Sequence, residues 1–393
     1  VHPELDRSSG DQREAVPTIG VISFTNLKSD PRVRRQLDAL RSHYSILACG
    51  TADPELDGVR FIGCSRARRT LLQKAVEARD LLVRRYESHY WQLPHVRELR
   101  SKLAGQRFDT VIANDLESLP LALDVAGRAS VVFDAHEYAP RELEDRFLWR
   151  VFRRDYNIYL CRKYLPRASA GITVTQGIAD EFERNFGIRP AVIDNAAPYH
   201  DLAPRPTDGT AVRMIHHGIA MPSRKLENMI DLMAHLDDRF QLDLMLMPTD
   251  PGYLRRLEAR ARTQRRVRFL PPVPMQELIR VSNSYDIGLY LLEPTSFNML
   301  HALPNKFFEF IQARLAVAIG PSPEMARIVR EFGCGVVADD FSPASLARKL
   351  NALSADALDR MKRSADAAAR VRNAESNAEK LRAVVADTLA RNR

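Results

Sequence analysis

The strongest constraint on this chain is an order that runs twice: short apolar segments alternate with helical patterns, the alternation stops, and then it starts again. In the first round the sequence predicts strands over Thr18–Phe24, Tyr44–Ala48, Val59–Ile62, Thr110–Ala113, Ser130–Phe133, Gly171–Val174 and Ala191–Ile193. In the second it predicts strands over Val212–His216, Leu242–Met247, Val267–Leu270, Ile287–Leu292, Ala316–Ile319 and Gly335–Val337. Strands separated by helices pair in parallel, since each crossover lays a helix on a sheet face. Between the rounds, Asp201–Gly209 is rich in Pro, Asp and Gly and reads as a linker. A chain of 393 residues also exceeds what one ordinary core accommodates.

The expected fold class is therefore α/β, with two Rossmann-like units facing across a cleft. The predicted divisions are a mobile tail over 1–16, a first unit over 17–204, a second over 205–372 and a closing helix over 373–393. That last helix is expected to cross back and pack on the first unit. Ligands of open α/β sheets bind beyond the carboxyl ends of the strands, so two facing units place a site between them.

Several function classes fall away on composition and motif. Hydrophobic content of 45% and charged content of 27% are those of an ordinary globular chain. No apolar run reaches the roughly 18 residues that a membrane-spanning helix needs, and the polar N-terminus has no apolar signal core. Cys49, Cys64, Cys161 and Cys334 are widely spaced, which argues against a zinc cage or disulfide framework and fits a reducing cytoplasm. The first strand leads into Thr25-Asn26-Leu27-Lys28-Ser29-Asp30, not a G-x-G-x-x-G turn, and no Walker motif is present. That disfavours a dinucleotide enzyme and a P-loop NTPase.

Charge is uneven. Residues 66–107 hold eleven Lys/Arg against four Asp/Glu, much of the net +8. Such an excess attracts phosphates. Over 66–90 the sequence predicts one amphipathic helix, with Leu71, Ala75, Ala78, Leu82 and Tyr86 as its core stripe. The arginines around it keep open a peripheral contact with anionic membrane. Nucleic acid is not expected as a partner, because no aromatics interleave with the cations for base stacking.

The candidate site residues sit at strand ends and helix starts. Asp30-Pro31 starts a helix, with Asp30 as cap and Pro31 in the first turn. His301-Ala302-Leu303-Pro304-Asn305-Lys306-Phe307-Phe308-Glu309 reads as a loop entering a helix through a proline, ahead of a buried strand. The unpaired N–H groups and dipole of a helix start favour an anion such as a nucleotide diphosphate, with Asn305 and Lys306 beside it. Glu309, one turn inside, can accept two hydrogen bonds from a ribose diol or simply complement the dipole. His216-His217-Gly218 ends a strand, and Ser223-Arg224-Lys225 precedes the next helix. Gly218 allows close backbone approach and Arg224 can bind a diphosphate; a glycine turn with solvated charges is the plain alternative. Asp134-Ala135-His136-Glu137 ends a strand, where His136 can contact a sugar or accept a proton, and Asn114-Asp115 should lie beside it.

Together these segments resemble the retaining glycosyltransferases of the GT-B fold, in particular glycosyltransferase family 4. The resemblance runs through Ser29-Asp30-Pro31-Arg32-Val33, Asn114-Asp115-Leu116, Phe133-Asp134-Ala135-His136-Glu137, Ile172-Thr173-Val174-Thr175, Ile193-Asp194-Asn195, His217-Gly218 with Arg224, and Leu303–Glu309 with Ala316-Val317-Ala318. It implies a nucleotide-diphosphate sugar donor, retention at the anomeric carbon and no metal or other cofactor. By the same resemblance Glu309 holds the donor ribose, Arg224 and Lys306 hold and stabilise the diphosphate, and His136 touches the transferred sugar. Backbone near Pro271-Pro272-Val273 frames the base. Asp115, His136 and Glu137 form the acceptor side, facing a cell-envelope glycan, a lipid-linked acceptor or a small molecule.

Three positions depart from the family pattern. His301 stands where a second glutamate is common, so donor-sugar contacts there fall to Asn298 or His301. Ile219 replaces an arginine after the turn glycine, and Arg314 replaces a glycine before the next strand. The His301 and Ile219 departures keep a non-catalytic GT-B scaffold partner in view, and a nucleotide-sugar epimerase of the same fold is a second enzyme reading. The expected location is the cytoplasm, with peripheral contact at the inner face of the cell membrane through 66–107.

Overall fold

The computed structural model describes residues 16–65 and 70–391. Most of the expected tail, residues 1–15, and Arg66, Arg68 and Arg69 of the basic segment lie outside the described residues.

Each round of the alternation builds one parallel sheet. In the first, β1 (Thr18–Ile22), β2 (Ser45–Gly50), β3 (Val59–Gly63), β4 (Thr110–Asn114), β5 (Ser130–Ala135), β6 (Ala170–Thr173) and β7 (Ala191–Val192) take the order β3-β2-β1-β4-β5-β6-β7. In the second, β8 (Val212–Ile219), β9 (Phe240–Met247), β10 (Val267–Leu270), β11 (Ile287–Tyr290), β12 (Ala316–Ile319) and β13 (Gly335–Val337) take the order β10-β9-β8-β11-β12-β13. The apolar runs are continuous because both faces of each sheet are covered. Along β1, Ile19 and Val21 enter one core cluster and Ile22 the opposite one. Along β12, Ala316 and Ala318 face one cluster and Val317 and Ile319 the other. Strand order reverses between β1 and β4, and again between β8 and β11; there the helices diverge and a crevice opens.

Local signals act as their chemistry dictates. Asp30 caps the helix Pro31–Leu40, accepting from the backbone N–H of Arg32 at 3.0 Å and of Val33 at 3.4 Å. The helix Ala374–Ala390 packs on Pro31–Leu40, and its Leu381 and Val385 join the same core as Ile19, Val33 and Leu37. The chain thus returns to the first sheet after completing the second.

The segment 66–90 departs from expectation. From Leu71 onward the chain forms two helices, Leu71–Leu82 and Tyr86–Gln92, broken where Arg84 takes φ 58°. Tyr86 is buried as predicted, but Leu71 and Leu82 are 84% and 59% exposed. The first helix turns Asp80 and Leu81 inward and is tied by the Glu77–Arg153 ion pair to the helix Phe147–Phe152. Its predicted core stripe is largely a surface.

Arg314 keeps a left-handed backbone at φ 62° and is fully buried. Its guanidinium donates to Asp366 Oδ1 at 2.6 Å, to the His200 carbonyl at 2.7 Å and to the Gln312 carbonyl at 2.5 Å. It holds the inter-sheet linker against the helix Ala355–Val371, so its conformational cost is offset by charge-assisted bonds.

Candidate active site

The two switch points face one another. A cleft cavity of about 730 Å³ is lined by Ser29 and Arg32 from the first domain and by His217, Gly218, Arg224, Pro272, Lys306 and Glu309 from the second. A further cavity of about 870 Å³ lies beyond the ends of β4 and β5, lined by Asn114, Asp115, Glu117, His136, Glu137, Trp149 and Tyr156 among others. Arg32 lines both.

On the second domain, Pro304 takes φ −72° and ψ 148° and starts the helix Asn305–Gln312. Phe307, Phe308, Phe310 and Ile311 bury completely and fix the helix against β11 and β12. Lys306 is thereby carried inward, only 7% exposed. Gly218, at φ 124°, passes so close that a Cβ there would lie 2.7 Å from Lys306 Nζ, so glycine meets both a backbone and a space requirement. His216 Nδ1 lies 2.8 Å from the Leu289 carbonyl, which can only accept, so Nδ1 carries the proton and Nε2 is left to accept from Lys306 Nζ at 3.4 Å. Burial pulls Lys306 down to about 7, Arg224 adds to this, and Glu309 opposes it. Burial likewise pulls His217 down to about 3, helped by Lys306. Its Nε2 has no hydrogen-bond partner and lies 3.5 Å from Glu309 Oε2. Burial raises the Glu309 carboxyl, against the pull of Lys306 and Arg35. This wall offers a cation held without water and a carboxylate one turn above it.

The first-domain wall has the opposite character. His136 lies between two carboxylates, with Nδ1 3.4 Å from Asp115 and Nε2 3.6 Å from Asp134. Burial lowers its affinity for a proton, but Asp115 and Asp134 outweigh this and push it up to about 10, so the ring is an imidazolium at neutral pH. Burial acts to raise Asp115, and the adjoining imidazolium overrides it and holds the carboxyl low. Burial, with Glu142 and Asp115 nearby, brings Glu137 up to about 7. The Tyr156 hydroxyl and Asn114 Oδ1 are buried without hydrogen-bond partners. Polar groups of this kind beside the Trp149 ring suit a hydroxyl-rich ligand.

Of the residues singled out from sequence, Gly218, Arg224, Asn305, Lys306 and Glu309 share the cleft cavity, and Asp115, His136 and Glu137 share the neighbouring one. Asn298 and His301 line neither. Asn298 Oδ1 accepts from the Tyr138 backbone N–H at 2.9 Å. His301 stacks on Phe297 and lies 3.3 Å from Glu324, whose Oε1 also accepts from the Gly177 N–H at 2.7 Å. These two side chains are engaged where the domains meet. Arg32, part of the Ser29–Val33 segment, is a site residue that the sequence reading lacks; its position just inside the helix capped by Asp30, after β1, is the available signal. Trp149 and Tyr156 come from helices distant in sequence, and no local pattern marks them.

Residues 32–198 match the model for Glycosyltransferase Family 4. Among solved structures, Anabaena HepE in complex with UDP aligns with a TM-score of 0.71 at 13% identity, covering 94% of this chain and 100% of that one. The sucrose-phosphate synthase of Thermosynechococcus elongatus aligns at 0.71 and 12%, covering 95% and 99%. WaaG, a glycosyltransferase involved in lipopolysaccharide biosynthesis, aligns at 0.59 and 14%, covering 92% and 98%. No curated protein matches the chain by sequence. The fold is the two-domain GT-B fold of these glycosyltransferases, and the resemblance to glycosyltransferase family 4 holds, with the family match spanning most of the first domain.

Proposed function

We propose that this protein is a retaining glycosyltransferase that moves a sugar from a nucleotide-diphosphate sugar to a hydroxyl of a glycan, lipid-linked or small-molecule acceptor. The observation that carries the reading is the convergence of Gly218, Arg224, Lys306 and Glu309 on one cleft, with Arg32 facing them from the other domain. The diphosphate binds against Gly218, Arg224, Lys306 and the start of the helix at Asn305, and the ribose binds on Glu309. As the anomeric C–O bond breaks, its electron pair leaves with the diphosphate, and Lys306 and Arg224 stabilise the charge that grows there. The acceptor oxygen bonds to the anomeric carbon from the face the diphosphate leaves, and its proton passes to the departing phosphate oxygen. The His136 imidazolium positions the transferred sugar, and Asp115 and Glu137 receive acceptor hydroxyls. Fixed cations supply the positive charge at the leaving group, which supports a metal-independent reaction.

UDP-sugars are the first donors to test, since HepE was crystallised with UDP and UDP-glucose and an E. coli trehalose-6-phosphate protein with UDP-2-fluoro glucose. GDP- and dTDP-sugars belong in the same screen, because the base is framed by backbone near Pro272. Cell-envelope glycan synthesis at the cytoplasmic side of a membrane is the setting this reading suggests. The proposed domain division, 17–204 for acceptor and 205–372 for donor, follows the two sheets.

Titration calorimetry of these donors against wild type and Glu309→Ala tests the assignment. Donor binding that weakens in the variant supports it; equal binding by both proteins sinks it. The Ile219 and His301 departures favour a non-catalytic scaffold as the second reading. Donor hydrolysis by the isolated protein, without acceptor, excludes that reading.

A further inference from the structure

Apolar side chains are exposed on this molecule in one concentrated place. Among the described residues, eight of the thirteen large exposed hydrophobics lie on the helix Leu71–Leu82, the adjoining Val83, and the helix Phe147–Phe152. Leu71, Leu72, Phe147 and Leu148 are 84%, 75%, 67% and 68% exposed. Single exposed leucines need no explanation, but a contiguous group on two packed helices does. The two helices are neighbours, joined by the Glu77–Arg153 ion pair.

Cations are interspersed with this apolar surface. Lys74, Arg85, Arg146, Arg150 and Arg154 are exposed around it. Of the acids nearby, Glu77 and Asp155 are engaged with Arg153 and Arg84 and Glu144 with Arg141, and Glu142 and Asp145 are exposed. Farther along the basic segment Arg100 is paired with Asp124 at 2.7 Å and Lys102 with Glu98 at 2.7 Å, while Arg97 and Arg107 are exposed. Positive charge is thus intermixed with the exposed apolar groups.

The same two helices form the rim of the 870 Å³ cavity. Thr70 and Gln73, at the start of one, and Trp149 and Arg153, on the other, line it. Leu71 and Leu72 stand in sequence between the lining residues Thr70 and Gln73, and Phe147 and Leu148 directly precede the lining residue Trp149.

We infer that this surface docks the protein on an anionic lipid bilayer, with the mouth of the first-domain cavity turned to the membrane, so that the acceptor is a lipid-linked sugar. The inference rests on reading that cavity as the acceptor site. Exposed apolar groups enter the interface while the arginines meet anionic headgroups, the arrangement of a surface-bound amphipathic element. No described helix is long and apolar enough to cross a membrane, so the contact is peripheral. The tie between Glu77 and Arg153 holds the two rim helices together and keeps the mouth aligned with the surface.

Vesicle co-sedimentation tests this with the full chain. The probes are phosphatidylglycerol–phosphatidylcholine vesicles and vesicles of phosphatidylcholine alone. Two double variants are compared with wild type, Leu71→Ser with Leu72→Ser and Phe147→Ser with Leu148→Ser; all four positions are exposed, so the fold is retained. Wild type should bind the anionic vesicles and lose about tenfold or more in affinity without the anionic lipid, in high salt, or in either variant. Absence of binding to anionic vesicles, or equal binding by wild type and both variants, overturns the proposal. So does a wild-type dimer in size-exclusion chromatography that both variants dissociate, because a second copy then covers the surface. UDP calorimetry on the same preparations keeps the two readings apart: donor binding should be unchanged in the variants, and vesicle binding can fail with donor binding intact.

Discussion

The two walls of the cleft are built alike and treat buried charge in opposite ways. Each is the carboxyl edge of a parallel sheet at its switch point, β1/β4 on one side and β8/β11 on the other. On the second domain, burial strips water from a lysine and two histidines, giving Lys306 near 7 and His217 near 3. On the first, burial also opposes charge on His136, yet two carboxylates override it and leave the ring near 10. One topology therefore supports either outcome, and the partners within about 4 Å decide the sign. A wall whose lysine is half neutral at pH 7 is ready to gain a proton when an anion arrives. A wall holding an imidazolium between carboxylates is internally compensated and suits a neutral, hydroxyl-bearing ligand.

Removing the cation should break this contrast most strongly. Lys306→Ala is expected to lower the transfer rate by about 10²–10³-fold, as loss of one preorganised transition-state donor does, and to weaken nucleotide-diphosphate binding; steady-state kinetics and calorimetry read the two effects. His136→Ala should lower the transfer rate by about 10²-fold while donor affinity changes little, because the ring lies on the other wall. A comparable loss of donor affinity would show that the walls do not divide their work. Glu309→Gln should weaken nucleotide binding by about tenfold, the scale of one charge-assisted hydrogen bond.

Proton linkage sharpens the comparison further. A bound diphosphate raises Lys306 from about 7, so affinity should fall as pH rises above 7, with proton uptake visible in buffers of different ionisation enthalpy. Stability moves the other way: unfolded lysine holds its proton up to about 10.4, so the folded protein gains stability as pH climbs through that window. For His136 the folded value is the higher one, so its contribution is complete below about 6.5 and is lost as pH rises through about 10. NMR of the imidazoles should find His136 charged at pH 8 and His217 neutral at pH 5. The smallest effect belongs to the domain contact. Gly177→Ala places a Cβ 1.9 Å from His301 Nδ1 and 2.8 Å from Glu324 Oε1. It should disturb this junction, raising KM a few-fold with little change in binding of the nucleotide alone.

The fold was legible because its determinants are local. Parallel strands buried on both faces must be continuous apolar runs, and all thirteen strands appear at or within a few residues of the predicted positions. Asp30-Pro31 and Pro304-Asn305 mark their helix starts by the chemistry of their own side chains. Within 66–90 the apolar stripe at helical spacing predicts a core face, but spacing does not say what covers a stripe, and Leu71 and Leu82 are exposed. In the cleft, Lys306, Glu309 and His136 stood out at element ends, where backbone geometry points residues at ligands. Trp149 and Tyr156 carry no such signal, since they reach the first-domain cavity only by packing of helices far from it in sequence. His301 and Asn298 illustrate the converse: the family resemblance implies a place near the donor sugar, and the side chains contact Glu324 and Tyr138 where the domains meet.

The central claim is that the second wall is the donor site. A crystal of the protein soaked with UDP tests it most directly. The account predicts the diphosphate at the start of the helix Asn305–Gln312, touching Lys306, Arg224 and the Gly218 backbone, with the ribose hydroxyls on Glu309. UDP bound in the first-domain cavity beside His136 and Glu137, or bound with Glu309 uninvolved, would contradict it.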